Sequence, residues 1–242
     1  MTPAPALAAV LDLRQYILKP GRRDALIDIF DSHFVDGQEE VGMHIVGQFR
    51  DLDDPDRFVW MRAFDSFDAR AAALPAFYYG PVWQAHRDRA NDTMIDSDDA
   101  LLLSPILLSA GYPRHGTPRA AAGFSDSVVG ITVFYRNRPV DLPLRQQVFE
   151  KVVPELAAAG GEPIAVFVTD PSENNFPALP LREENVVVWI NRFDDDDAYA
   201  AFQDRLTRSA AWRDRMLPAL MPTAKQDLQQ LRLRPTARSH LR

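Results

Sequence analysis

A chain of 242 residues with 46% hydrophobic and 25% charged residues has an ordinary globular composition, long enough for one large domain or two of about 100 residues. Its net charge of -7, with Lys and Arg interleaved among Asp and Glu, excludes the basic face that phosphate binding needs, so nucleic acid is not expected as a partner. The absence of cysteine excludes disulfides, thiolate nucleophiles, Fe–S clusters and cysteine zinc sites, and fits a reducing cytoplasm.

The opening Met1-Thr2-Pro3-Ala4-Pro5 lacks the basic region of a signal peptide. No later run approaches the ~20 apolar residues of a membrane helix, so a soluble, cytoplasmic protein is expected. The basic residues are nearly all Arg, which with abundant Ala suggests a GC-rich bacterial genome. Leu11–Leu18 reads as a strand, turned by Lys19-Pro20-Gly21. Asp24 to about Glu40 reads as a helix, with Leu26, Phe30 and Phe34 on one face. Met43–Leu52 and Phe58–Phe64 are strands joined by Asp53-Asp54-Pro55-Asp56. Asp65 and Asp68 mark a helix start, and the helix runs to about Thr93 with a break at Gly80-Pro81. Ala100–Leu103 completes this unit as an edge strand.

Ser109–Ser127, rich in Gly, Pro, Ala and Arg, reads as a linker. Beyond it the order repeats. Val128–Arg136 is a strand, and Leu144, Val148, Val152 and Leu156 stripe a helix that Pro154 kinks. Pro163–Thr169 and Val186–Phe193 are strands around a Pro/Asn loop, Pro171–Asn185. Asp194 caps a helix to about Leu220, Leu228–Leu233 is the last strand, and the residues past Pro235 read as a frayed tail.

The repeat is explicit in the tryptophans. Trp60 and Trp83 are 23 residues apart, as are Trp189 and Trp212, and in both halves the first Trp is followed by Phe four and Asp five positions on. Each half has the order β-α-β-β-α-β, the ferredoxin-like unit. The expected fold is therefore α+β: two tandem ferredoxin-like units, 10–108 and 128–235, joined by a linker at 109–127. A four-stranded sheet with helices on one face leaves its other face bare, and the second copy covers it, sheet to sheet, as an α/β barrel. Strand alternation sets Leu13, Ile17, Ile45, Phe49, Val59 and Met61 on a face suited to pack under helices. The other face carries Arg14, Tyr16, His44, Gln48, Trp60 and Arg62, and is expected to line a cavity inside the barrel.

Leu13-Arg14-Gln15-Tyr16-Ile17-Leu18-Lys19-Pro20-Gly21, Gly47-Gln48-Phe49, Phe58-Val59-Trp60-Met61-Arg62 and the stretch from Tyr78 to Asn91 with Gly80-Pro81-Val82-Trp83 resemble a NIPSNAP domain, over about residues 10–105. The second half resembles the same dimeric α/β-barrel superfamily with weaker motifs: Asn191 stands where Arg62 does, Thr207-Arg208 where Tyr78-Tyr79 do, and Arg215 where His86 does. The resemblance implies the fold and a tendency to associate, so a homodimer through outer surfaces is expected. It implies no settled activity. The wider superfamily suggests cofactor-independent oxygenation or isomerisation of an enolisable or aromatic compound.

The candidate ligand-binding residues are Arg14, Tyr16, Gln48, Trp60, Arg62, Tyr79 and Trp83, with Tyr78 beside them. A charge on a covered strand face is costly unless paired or bound to an anion, and Arg offers a planar fork for a carboxylate or enolate. The competing reading is an internal salt bridge to Asp12 or a loop carboxylate. The tryptophans read first as packing wedges between sheet and helix, with pocket lining the second reading. His44 and His86 are the candidates for general acid–base catalysis. The five histidines show no metal-ligand spacing, and no Walker loop, dinucleotide glycine pattern or nucleophile elbow occurs, so neither metal nor cofactor is expected. Two functional readings follow: a barrel that holds a small anionic or aromatic molecule, or a filled barrel that serves as a non-catalytic interaction module.

Overall fold

The computed structural model describes residues 9–107 and 123–242. Most of the linker assigned to 109–127 lies outside the described residues. Four strands come from the first half, β1 (Val10–Leu18), β2 (His44–Asp51), β3 (Arg57–Phe64) and β4 (Met94–Pro105). Four come from the second, β5 (Val128–Arg136), β6 (Pro163–Thr169), β7 (Asn185–Phe193) and β8 (Gln229–Pro235). They close into one barrel in the order β1-β3-β2-β8-β5-β7-β6-β4. The two seams between halves are antiparallel: β2 with β8 through Phe49–Pro235 to Asp51–Leu233, and β4 with β6 through Leu103–Thr169 to Pro105–Phe167. Closure removes the free sheet edges that each half alone would present. β4 is thus no edge strand, since it pairs with β1 along most of its length and with β6 at its end.

The helices lie outside. In the first half the run 23–39 contains a π turn at Phe30–Phe34, and two helices follow, Phe67–Tyr78 and Pro81–Asn91. The equivalent π turn in the second half is Val148–Val152, and Pro154 sits at the start of the short helix after it, where its missing N–H costs little. The helix caps fall one residue later than the sequence suggested. Ser66 accepts from the Ala69 N–H, and Asp195 from that of Ala198. Trp60 and Trp189 occupy matching places, each paired with the strand next to it (Arg14 and Thr132) and buried against the helices of its own half.

The two faces of the first sheet are the reverse of the expectation. Leu13, Phe49, Val59 and Met61 point into the barrel, where they join Ile131, Val188, Phe167 and Leu231 in one apolar cluster drawn from all eight strands. Tyr16, Trp60 and the arginines face the helices instead. The reason is space. An eight-stranded barrel has an interior that aliphatic side chains just fill. The helix layer is held off the sheet by its own rings, Phe30, Phe34 and Phe77, and long side chains fill that wider gap. Ile45 does pack under the helices, because a bulge between Ile45 and Gly47 resets the alternation. Among the described residues, the barrel interior is a packed apolar core rather than the ligand cavity expected.

The C-terminal segment is not a frayed tail. Past β8 it continues along β2, with the Thr236 N–H on the Gln48 carbonyl (2.9 Å) and the Leu241 N–H on that of Val46 (2.8 Å). Leu241 enters the barrel cluster, and Arg238 is clamped on Asp36. Gly47 permits this approach. A Cβ there would lie 2.4 Å from the Phe49 ring and 2.9 Å from Ser239 Oγ.

Candidate functional site

The outward face of β1 and β3 carries Asp12, Arg14, Tyr16, Trp60 and Arg62, and the helix 67–78 adds Arg70. Asp12, Arg14, Arg62 and Arg70 have no solvent exposure. Asp12 is the shared carboxylate. Its Oδ2 accepts from Arg62 Nε (3.0 Å) and its Oδ1 from Arg70 Nε (3.1 Å). Arg62 Nη2 also lies 3.0 Å from Oδ2, close enough for an ion pair although its angle makes no hydrogen bond. Burial alone would raise the Asp12 carboxyl, but Arg62, Arg70 and Arg14 together hold it below the usual carboxylate range. Arg62 is further satisfied by Gln38 Oε1 (3.0 Å) and the Tyr78 hydroxyl (3.3 Å), and its guanidinium sits 5.0 Å from the Trp60 ring centroid. Arg62 is thus the internal salt bridge that the sequence reading held open.

Arg14 is different. Its Nε donates to the Tyr16 hydroxyl (3.2 Å) and its Nη2 to the Ser97 carbonyl (3.0 Å), which a bulge in β4 turns out of the β1–β4 ladder. No carboxylate lies in ion-pair contact with it among the described residues, and its Nη1 is buried without a partner. Two guanidinium groups therefore share one carboxylate, and a third lies beside them without one, all four side chains having no solvent exposure. The surplus positive charge is unusual in a structural network, where buried charges are normally matched.

In front of Arg14 lies a cleft of about 300 Å³ between sheet and helices. Tyr16, Tyr78, Tyr79, Trp83, Met94, Ser97 and Phe176 line it, with Gln84, Arg87 and Asn91 toward the outside. A narrow inner extension reaches Phe30, Phe34, Gln38 and Trp60. Burial pushes the Tyr16 hydroxyl up from its ordinary value, with Arg14 opposing, so it stays protonated at neutral pH. It accepts from Arg14 and keeps its own hydrogen to donate.

The sequence candidates separate accordingly. Tyr16, Trp60, Tyr78, Tyr79 and Trp83 line the cleft, and Arg14, not itself a lining residue, is hydrogen-bonded to Tyr16 and Ser97, which are. Gln48 lies apart, donating to Asp31 (2.9 Å) near the C-terminal segment. His44 stands at the start of β2, half-exposed, 2.9 Å from Asp65. His86 stacks on His33 with ring centroids 3.7 Å apart, on the flank of its helix that faces the run 30–34. Neither histidine is among the lining residues. Sequence reasoning missed Arg70 and Phe176. Arg70 lies ten residues after Trp60 with no pattern to mark it, and Phe176 comes from the other half of the chain.

Residues 11–110 match the NIPSNAP family model. A candidate monooxygenase from Fusobacterium nucleatum superposes with a TM-score of 0.60 at 8% identity, over 95% of this chain and 93% of that one. One from Lactobacillus acidophilus gives 0.57 at 12% identity, over 93% of each chain. An anthrone oxidase-like protein gives 0.59 at 12% identity, over 96% of this chain and 94% of that one. At such identities the likeness is one of fold. No curated protein matches the chain.

Proposed function

For a chain whose residues 11–110 match the NIPSNAP family model and whose two halves close into one barrel, we propose a protein that binds a small anionic molecule with an aromatic part. The site is the cleft between the first sheet and its helices, and the barrel is its scaffold. One observation carries this: Arg14, fully buried, without a carboxylate of its own and with one N–H unmatched, behind an aromatic-walled cleft. An incoming carboxylate, phenolate or enolate would restore the charge balance and take the Tyr16 proton as a hydrogen bond. The rings of Trp83, Tyr78 and Phe176 suit a flat apolar body.

The chemistry this arrangement favours is stabilisation of an anion. Arg14 and Tyr16 would hold an enolate or phenolate out of water, the species through which a cofactor-independent oxygenation passes. That route suits a substrate that arrives already ionised, because neither a carboxylate nor an imidazole is among the lining residues to remove a proton. An isomerase, which must move a proton between two carbons, fits less well.

The test is a thermal-shift screen of aromatic carboxylates and sulfonates on the parent chain and on Arg14→Met. Stabilisation of the parent that disappears in the variant supports the reading. A parent stabilised by none of them, or a variant stabilised equally, refutes it.

A further inference from the structure

The outer wall of the cleft does not belong to the NIPSNAP half. Phe176, Ala178 and Leu179 line it, and they lie in the loop between β6 and β7. The corresponding connection in the first half, between β2 and β3, needs only residues 52–56, whereas β6 and β7 are joined by residues 170–184. The extra length is anchored at both ends on β4, through the Asp170 N–H to the Leu102 carbonyl (2.9 Å) and the Arg182 N–H to that of Ala100 (2.8 Å). Its tip rests on the first half. Arg70 Nη1 donates to Asn174 Oδ1 (3.2 Å) and Asn175 Oδ1 (2.5 Å), and Asn175 Nδ2 donates to the Phe67 carbonyl (2.8 Å). Phe176, almost fully buried, stacks on Tyr78 with centroids 5.9 Å apart and planes 22° from parallel.

At the matching positions described in the second half, the cleft chemistry is not repeated. The register that pairs Trp60 with Arg14 pairs Trp189 with Thr132, and two residues further along β5 Phe134 stands where Tyr16 does. Arg62 is matched by Asn191, whose amide is spent on the Gly161 carbonyl. The buried charge and the phenol are both gone.

We propose that the two halves have divided their work: each chain has one ligand site, and the strap 170–184 of the second half sets its specificity, with Phe176 the ring that ends the cleft. The proposal rests on the ligand cleft argued above. It makes Phe176 a specificity-determining residue and Asn174 and Asn175 the positioning residues that hold it, through Arg70, against Tyr78. Neutral amides at 174 and 175 suit that role, because a carboxylate placed there on Arg70 would cancel part of the surplus charge that the ligand is there to meet.

Calorimetric titration of the full chain with benzoate and with 2-naphthoate tests this. The parent is expected to bind one equivalent per chain. Phe176→Ala should shift the preference toward 2-naphthoate by about five- to tenfold, as a wall that stacked on one ring gives way to room for a second. Phe176→Leu, which keeps the packing volume more nearly, should shift it less in the same direction, and covers the case where the alanine variant folds poorly. Arg14→Met should weaken both ligands together and leave their ratio unchanged. A ratio unmoved in both Phe176 variants, or two equivalents bound per chain, overturns the division of work while leaving the cleft in place. Failure of the parent to bind either anion overturns the cleft reading, and the strap's role falls with it.

Discussion

Replacing Asp12 by asparagine keeps the shape of the side chain and removes its charge. In the parent, the Arg62 and Arg70 guanidinium groups both rest on that carboxylate at 3.0 and 3.1 Å, and none of the three side chains touches water. Without the charge, two cations remain buried with only neutral acceptors, and breaking a buried pair in this way costs about 3–5 kcal/mol. For a chain of this size each kcal/mol moves the Tm by about 2–4 °C, so the variant should melt on the order of 10 °C lower. Arg14→Met should behave otherwise. It loses two hydrogen bonds, worth about 1.5–3 kcal/mol each when one partner is charged. Against that stand the desolvation of an unmatched cation, several kcal/mol, and its repulsion from Arg62 and Arg70. The two sides nearly cancel, so the expected change is within about 1 kcal/mol of the parent. Thermal and urea unfolding of both variants, without ligand, measure the contrast. An Arg14→Met variant destabilised as much as Asp12→Asn would show that Arg14 belongs to the structural network, and the case for an anion site would collapse. The pH dependence supplies a second reading of the same pair. The Asp12 carboxyl is held low, so its contribution is complete above the unfolded value near ~4 and is lost as pH falls through the lower folded one. The gap between parent and Asp12→Asn should therefore close in acid.

Leu241→Ala should cost about 2–4 kcal/mol in urea unfolding, since the side chain belongs to the barrel core; a change below 0.5 kcal/mol, about the level of a surface site, would mean the C-terminal segment does not dock. Gly47→Ala should destabilise by about 1–3 kcal/mol, because its Cβ would meet the Phe49 ring at 2.4 Å. Burial raises the hydroxyls of Tyr16 and Tyr135, and for such groups stability is complete below the ordinary value and declines as pH rises past it. Alkaline unfolding should begin above pH ~10, followed by tyrosine absorbance; Tyr199, raised by burial as well, adds to the same loss. His44→Ala should leave both stability and anion binding within error of the parent, as its contact with Asp65 is half-exposed; tenfold weaker binding would return His44 to the site.

Local physics alone carried the architecture. Alternation in β1, β3, β5 and β7, the helical spacing of Leu26, Phe30 and Phe34, and two Trp pairs at equal spacing are written in the order of residues, because backbone geometry imposes periods of two and 3.6 on any chain. The bare sheet face then required the second copy as its cover. What alternation cannot say is which of two covered faces is the roomier. Both faces of the first sheet are buried, one by aliphatic chains in a closed barrel and one by aromatic helices, and only the assembled radii sent Leu13 inward and Arg14 outward. The site depends on distances of the same kind. Asp12 meets Arg62 because β1 and β3 are in register, and Arg70 because a helix begins at Ser66. Phe176 reaches Tyr78 from nearly a hundred residues away in sequence, through a strap whose ends are fixed only once β4 and β6 have joined. Sequence periodicity reports what each residue's neighbours along the chain demand. The cleft is made by neighbours that the chain brings together only on closing the barrel.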